Sequence, residues 1–265
     1  MKLSIDKISI KALTISNLVV IGVAAIILSV IIGGVFKRAA MEEETRVLSR
    51  IVEVASGEVL KKLDDVSVDL GSTTQHDRDF RSALRGIGDP ANEKAAVQHL
   101  NDQFRQRFVT SGVLDLAKLR VFDTNLKFLV ESSEGVSGLP RKLPDFLQKA
   151  AEGREGADRF KSLGGTWVSP AGPVYSVLVP VGGLRLIGYM EVVVRPAYNL
   201  QNVADILKNP LTISSTEGDV LHQTDNWPKG HMENSVVVAY DLPAESGEFP
   251  AAALPHRRNK IRIGV

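Results

Sequence analysis

Residues 18–36 run for nineteen positions without a charge, LVVIGVAAIILSVIIGGVF. At a rise of ~1.5 Å per residue, such a helix is about 28 Å long, close to the ~30 Å hydrocarbon core of a bilayer. Lys37 and Arg38 close the run, and Lys2, Lys7 and Lys11 precede it. A cleaved secretory leader has an apolar core of only ~7–15 residues and ends at a small-residue site. The sequence FKRAA at 36–40 is a poor one. A buried core helix is the other alternative, but nothing else in the chain could cover a helix apolar on all sides. An uncleaved membrane anchor is therefore expected. Positive charges flank it on both sides, so the charge count leaves its orientation open.

The period then becomes that of an amphipathic helix. Residues 39–85 contain no proline, and apolar side chains recur at Leu48, Val52, Ala55, Val59, Leu63, Val66 and Leu70. Steps of three and four mark one helical face, which Val47, Ile51 and Val54 widen. Such a stripe can pack on the chain's own sheet, pair with a second copy of itself, or do both along its length. After a break at GIGDP (86–90), residues 92–110 read as a second helix with Val97, Leu100, Phe104 and Phe108 on one face.

From Lys118 onward the period is that of strands. Residues 119–133 read as strand, turn, strand, with Asp123, Thr124 and Asn125 at the turn. Ninety-two residues later, 211–225 repeat the pattern: Val121 falls on Ile213, Thr124 on Thr216, Leu129 on Leu221 and Ser132 on Thr224. Two modules that begin alike are expected. The first continues with a short helix at 144–153 and strands at 159–169, 174–181 and 184–194, the last two joined by Gly182-Gly183, a hairpin signal. A five-stranded antiparallel sheet with helices on its faces results, an α+β design. Residues 199–208 read as a helical connector, and 235–240 as one more strand. Beyond it stand Pro250 and Pro255, which cannot donate to a ladder. The second module is therefore expected to be incomplete, lacking its last strand, in a chain cut short.

Composition narrows the chemistry. The 265 residues hold 32 basic and 31 acidic side chains, a net charge of +1, which gives no support to nucleic-acid binding. With no cysteine, disulfides, thiolate zinc sites and thiol nucleophiles are excluded. No two histidines stand four apart, and neither a nucleophile elbow nor a phosphate loop is present. Asp64-Asp65 and Glu42–Glu44 read as solvated charge runs on a helix. No catalytic residue, metal ligand or cofactor is expected, although carboxylates brought together by the fold leave a tethered hydrolase open.

The segments TRVLSRIVEVASGEVLKKL, LRVFDTNLKFLVESSEG, GTWVSPAGPVYSVLVPVGGLRLIGYMEVVV and LTISSTEGDVLHQTDNW resemble the double Cache (PAS-like) extracytoplasmic sensor regions of bacterial chemoreceptors, histidine kinases and GGDEF or EAL proteins. The resemblance covers about residues 12–245. It implies a cytoplasmic tail (1–17), a transmembrane helix (18–36) and a long signalling helix (37–85). A membrane-distal module (86–198) and an incomplete membrane-proximal module (199–265) follow. It also implies an inner-membrane protein with its bulk outside, a small-molecule ligand, and a homodimer formed through the 39–85 helix. Neither a second span nor an output domain is found in the sequence.

A site can be placed by hairpin geometry. With Gly182-Gly183 as a two-residue loop, Pro180 faces Arg185, Leu178 faces Ile187 and Ser176 faces Tyr189, and paired residues share a face. One face then carries Tyr175, Val177, Val179, Leu186 and Met190, and should take the long helix. The other carries Ser176, Leu178, Arg185, Ile187, Tyr189 and Glu191, the mixture of apolar walls and few polar groups that a small-molecule site needs. Arg120 and Trp167 join from neighbouring strands, Arg120 to grip a carboxylate and Trp167 to wall an apolar or cationic ligand. The alternative is ordinary core packing for Tyr189 and Trp167, with Arg185 and Glu191 solvated.

Overall fold

The computed structural model describes residues 10–106, 109, 112–182, 185–215, 220–227, 239–242 and 261–264. The chain divides into two compact units, Met1–Leu48 and Ser49–Val265.

The first unit is helical. Helix α1 is Ile10–His76, the one helix among the described residues long and apolar enough to cross a membrane. Its apolar window is wholly uncovered, with Leu18, Val20, Ile26, Val30 and Phe36 exposed.

In the second unit α1 is amphipathic. Its buried positions are Val52, Ser56, Leu60, Leu63, Ser67, Leu70 and Thr74. The expected stripe shares Val52, Leu63 and Leu70 with this set, while Ala55, Val59 and Val66 are only half-buried. The face is turned because small residues let the helix approach its neighbour. A Cβ placed on Gly71 would lie 2.6 Å from Cγ2 of Val179. Ile51 and Val54, expected to widen the packed stripe, are exposed, and so is Val47 of the first unit.

The helix also ends earlier than the sequence suggested. Asp77 stops it by capping a new helix, α2 (Arg78–Arg85): its carboxylate accepts from the amides of Asp79 and Phe80. Helix α3 (Pro90–Asp102) is capped by Asp89 and runs into a 3-10 turn, Gln103–Arg105. Phe108 lies outside the described residues.

The first sheet has five antiparallel strands: β1 (Leu116–Asp123), β2 (Phe128–Glu131), β3 (Leu163–Ser169), β4 (Gly172–Val181) and β5 (Gly188–Val194). Their spatial order is β2-β1-β5-β4-β3. Helix α4 (Asp145–Glu152) and the segment leading into it cover one face. Helix α1 reaches the other through Gly71 and Val179. Helix α5 (Pro196–Leu207) leads on to the second sheet.

The two-residue Gly182-Gly183 hairpin does not form. Val181 pairs with Gly188, and the amide of Ile187 closes the loop on the Val181 carbonyl at 2.7 Å. Strand β5 therefore starts four residues later than the sequence reading placed it. Gly182 adopts a φ of +128°, and a Cβ there would sit 2.2 Å from the Arg185 carbonyl oxygen, so the turn is wound too tightly for a side chain. A shift of four is even. Side chains alternate with a period of two, so Ser176, Leu178, Tyr189 and Glu191 stay on one face as expected.

The second sheet contains β6 (Thr212–Ser215), β7 (Val220–Gln223), β8 (Ala239–Leu242) and β9 (Ile261–Gly264), in the order β7-β6-β9-β8. The strand read as missing is thus present: β9 pairs with both β6 and β8. Its sequence, Ile-Arg-Ile-Gly, alternates apolar and polar residues, a signal too short to stand out behind two prolines. Of the expected strand at 235–240, residues 239 and 240 belong to β8, and 235–238 lie outside the described residues.

The internal repeat holds at the level of individual pairs. Arg120 faces Glu131, Val121 faces Val130 and Phe122 faces Phe128. Adding 92 to each number gives the pairs of the second hairpin: Thr212 with Gln223, Ile213 with His222, and Ser214 with Val220. Both hairpins bulge at the same step, after Val121 and after Ile213. Both are closed by a hydroxyl at the same place. Ser132 Oγ accepts from the Leu119 amide at 3.3 Å, and Thr224 Oγ1 from the Leu211 amide at 3.0 Å.

Candidate functional site

The strand register brings Arg120 and Glu191 together from β1 and β5, where they are direct cross-strand partners. Both side chains are fully buried. Arg120 Nε donates to Glu191 Oε2 at 2.6 Å, and Nη2 makes an ion pair with the same oxygen. Arg120 Nη1 donates to the Pro140 carbonyl, and the guanidinium lies 5.5 Å from the centre of the Phe122 ring. From β3, Trp167 Nε1 donates to Ser176 Oγ on β4 at 2.8 Å. Ser176 is a same-face diagonal neighbour of Glu191, since Leu178 pairs with Glu191 and Val177 with Val192. Four of the six expected residues thus form a polar line across strands β3, β4, β5 and β1.

Tyr189 shares this face. It is buried in an apolar cluster with Phe122, Leu143, Leu147, Leu163 and Leu178. Full burial of each such large side chain contributes about 1.5–3 kcal/mol. Arg185 is not brought to the network. It is exposed in the loop before β5, because the wider turn keeps it out of the strand.

Burial dominates the electrostatics. It pushes the Glu191 carboxyl above its ordinary value, while Arg120 and the Ser176 hydroxyl pull the other way. Among the described residues Glu191 Oε1 has no hydrogen-bond partner, and Arg120 Nη2 has none beyond its ion contact. An orphaned carboxylate oxygen beside a buried guanidinium can accept from an ammonium, amide or hydroxyl group brought to it.

The cover of this face was not foreseen. Residues 132–144 form a strap held by several bonds. Asn101 Oδ1 accepts from the amides of Ser133 and Glu134. Lys118 Nζ donates to the Glu134 carbonyl, and the Val136 amide to the Ala117 carbonyl. Leu139 and Val136 pack against Trp167, Val174 and Val193. The sequence signal was weak: SSEGVSGLP reads only as a loop.

Asp64 is a second correction. Read as part of a solvated charge run, it is half-buried and accepts from the Tyr175 hydroxyl at 2.9 Å. Its place beside Leu63 on the buried stripe could have signalled this. Burial, then the Asp64 charge, pushes the Tyr175 phenol far above its ordinary range.

The charged pair is not repeated at the matching position of the second sheet. The position matching Arg120 is Thr212, and its partner on β9 is Gly264.

No protein-family model matches the chain, and no curated protein matches it. Solved structures do. The sensor domain of the V. cholerae histidine kinase DctB is 11% identical, over 86% of this chain and 97% of that one, with a TM-score of 0.49. A domain of a sensory box/GGDEF family protein from Vibrio parahaemolyticus is 14% identical, over 70% and 74%, with a TM-score of 0.47. The ligand-binding domain of the Pseudomonas fluorescens chemoreceptor CtaA, in complex with L-alanine, is 13% identical, over 83% and 95%, with a TM-score of 0.40. The chain is similar to these three domains at 11–14% identity.

Proposed function

We propose that this chain is a membrane-anchored extracytoplasmic sensor whose first module takes a small ligand on the Arg120–Glu191 face and passes a signal through α1. The observation that carries the reading is the buried pair itself. Two charges are held out of water at a desolvation cost that a well-packed apolar pair would avoid, and among the described residues Glu191 Oε1 has no hydrogen-bond partner. Arg120, Trp167, Ser176, Tyr189 and Glu191 are the proposed lining, and Arg185, exposed in the loop before β5, stands outside it. The guanidinium suits a carboxylate, and the free carboxylate oxygen suits an ammonium or amide. The proposed assembly is a homodimer through α1, supported by the exposed Ile51 and Val54. The proposed location is the inner membrane with the bulk of the chain outside, supported by the apolar run of α1.

A thermal-shift screen of the full chain in detergent, against small carboxylates, amines and zwitterions, tests this. The expected result is a ligand that raises Tm in the parent and in Arg185→Ala, and whose effect is lost or reduced at least tenfold in concentration in Tyr189→Ala. Tenfold corresponds to about 1.4 kcal/mol. The competing reading is a membrane-anchored scaffold that binds nothing. It is favoured by the complete burial of Arg120, Ser176 and Glu191, and it stands if no compound shifts Tm.

A further inference from the structure

Strand β4 carries two adjacent residues that look in opposite directions. Ser176 faces the buried charges, where it accepts from Trp167 Nε1 at 2.8 Å and sits diagonally from Glu191. Tyr175 faces α1, where its hydroxyl donates to Asp64 Oδ1 at 2.9 Å. Four residues further along β4, on the Tyr175 face, Val179 meets α1 again at Gly71. From Asp64 to Gly71 is seven helical residues, about 10.5 Å. From Tyr175 to Val179 is four strand residues, about 13 Å. Helix and strand therefore run alongside one another in the same direction. Their contact includes a close apolar seat, Val179 on Gly71, and a directional polar bond, Tyr175 to Asp64.

That combination is asymmetric. An apolar seat tolerates small sliding with little change in energy, because dispersion contacts are many and individually weak. A hydrogen bond weakens steeply as its geometry is lost. A small displacement of β4 is thus felt sharply at the Tyr175–Asp64 bond. β4 is also the strand on which the network would act, since Ser176 lies midway along the polar line from Trp167 to Arg120.

We propose that the Tyr175-Ser176 dipeptide couples the two faces of the first sheet: a change in the Trp167–Ser176–Glu191–Arg120 network is transmitted to α1 by making or breaking the Tyr175–Asp64 hydrogen bond. Tyr175 is then a positioning residue for the helix, with no part in holding a ligand. The coupling rests on the sensor reading for its purpose, but it is a property of the unliganded chain.

Hydrogen–deuterium exchange of the full chain in detergent micelles, with no ligand added, tests it. Ser176→Ala and Trp167→Phe each remove the Trp167–Ser176 bond, and Ser176→Ala also takes away the hydroxyl beside Glu191. Each is expected to raise exchange of the α1 amides at 60–74 at least about twofold, the lower end for groups coupled in one network. In a Tyr175→Phe background the same substitutions should leave those amides unchanged relative to Tyr175→Phe alone. An equal rise in both backgrounds would overturn the proposal, and so would the absence of any rise from either substitution. If Ser176→Ala fails to fold, Trp167→Phe supplies the perturbation. Because no ligand enters, failure of the screen described above and failure of this coupling are separate results.

Discussion

At the scale of single residues, Arg120 and Glu191 dominate. Each alone would be prohibitively costly to bury, and together they offset one another only in part. Glu191→Ala leaves a guanidinium buried and unpaired, and is expected to destabilise the second unit by about 3–5 kcal/mol. The double substitution Arg120→Met/Glu191→Leu removes both charges and should recover most of that loss. Thermal denaturation of the three chains side by side checks the order. The same double variant isolates the pH dependence. Burial raises the Glu191 carboxyl above its ordinary 4.5, so the folded chain binds this proton more tightly than the unfolded chain does. Its contribution to stability is then full below about 4.5 and is lost as pH rises through the higher folded value. The Tm of the parent, relative to the double variant, should fall as pH is raised from 4.5. A flat or rising difference would sink the assignment. These residues were legible as candidates because the period of two fixes which side chains share a face. Their pairing was not, because β1 and β5 lie some seventy residues apart in the chain and no local pattern encodes their register.

At the scale of elements, α1 shows how a small residue sets a packing distance. Gly71 allows the helix to sit on Val179 where any side chain would collide. Gly71→Ala is expected to destabilise the unit by about 1–3 kcal/mol through overpacking, even though alanine has the higher helix propensity. Val179→Ala in the same chain should restore part of the loss, and comparing the melting temperatures of the single and double variants measures it. The apolar period made the helix evident but misplaced its buried face, because Ser56, Ser67 and Thr74 are buried there in polar guise. Serine and threonine at helix–sheet contacts carry no hydrophobic signal. The helix end at His76 was hidden for a related reason. Asp77 caps α2 without any proline or glycine to announce it.

At the scale of the whole chain, the alternation of helical and strand periods was enough to give an apolar helix followed by antiparallel sheets. The strand order could not be read from it, because order depends on long-range pairing that no local pattern encodes. The repeat was the exception. A weak similarity between 119–133 and 211–225 foretold two hairpins that agree pair for pair, in their bulge and in the hydroxyl that closes them. They are in effect one backbone written twice. Exchanging the paired strands of one for those of the other would rewrite side chains while keeping the same register. What distinguishes the modules is then concentrated at positions such as Arg120 and its counterpart Thr212. There one copy carries a buried charge, and the other carries a threonine opposite a glycine.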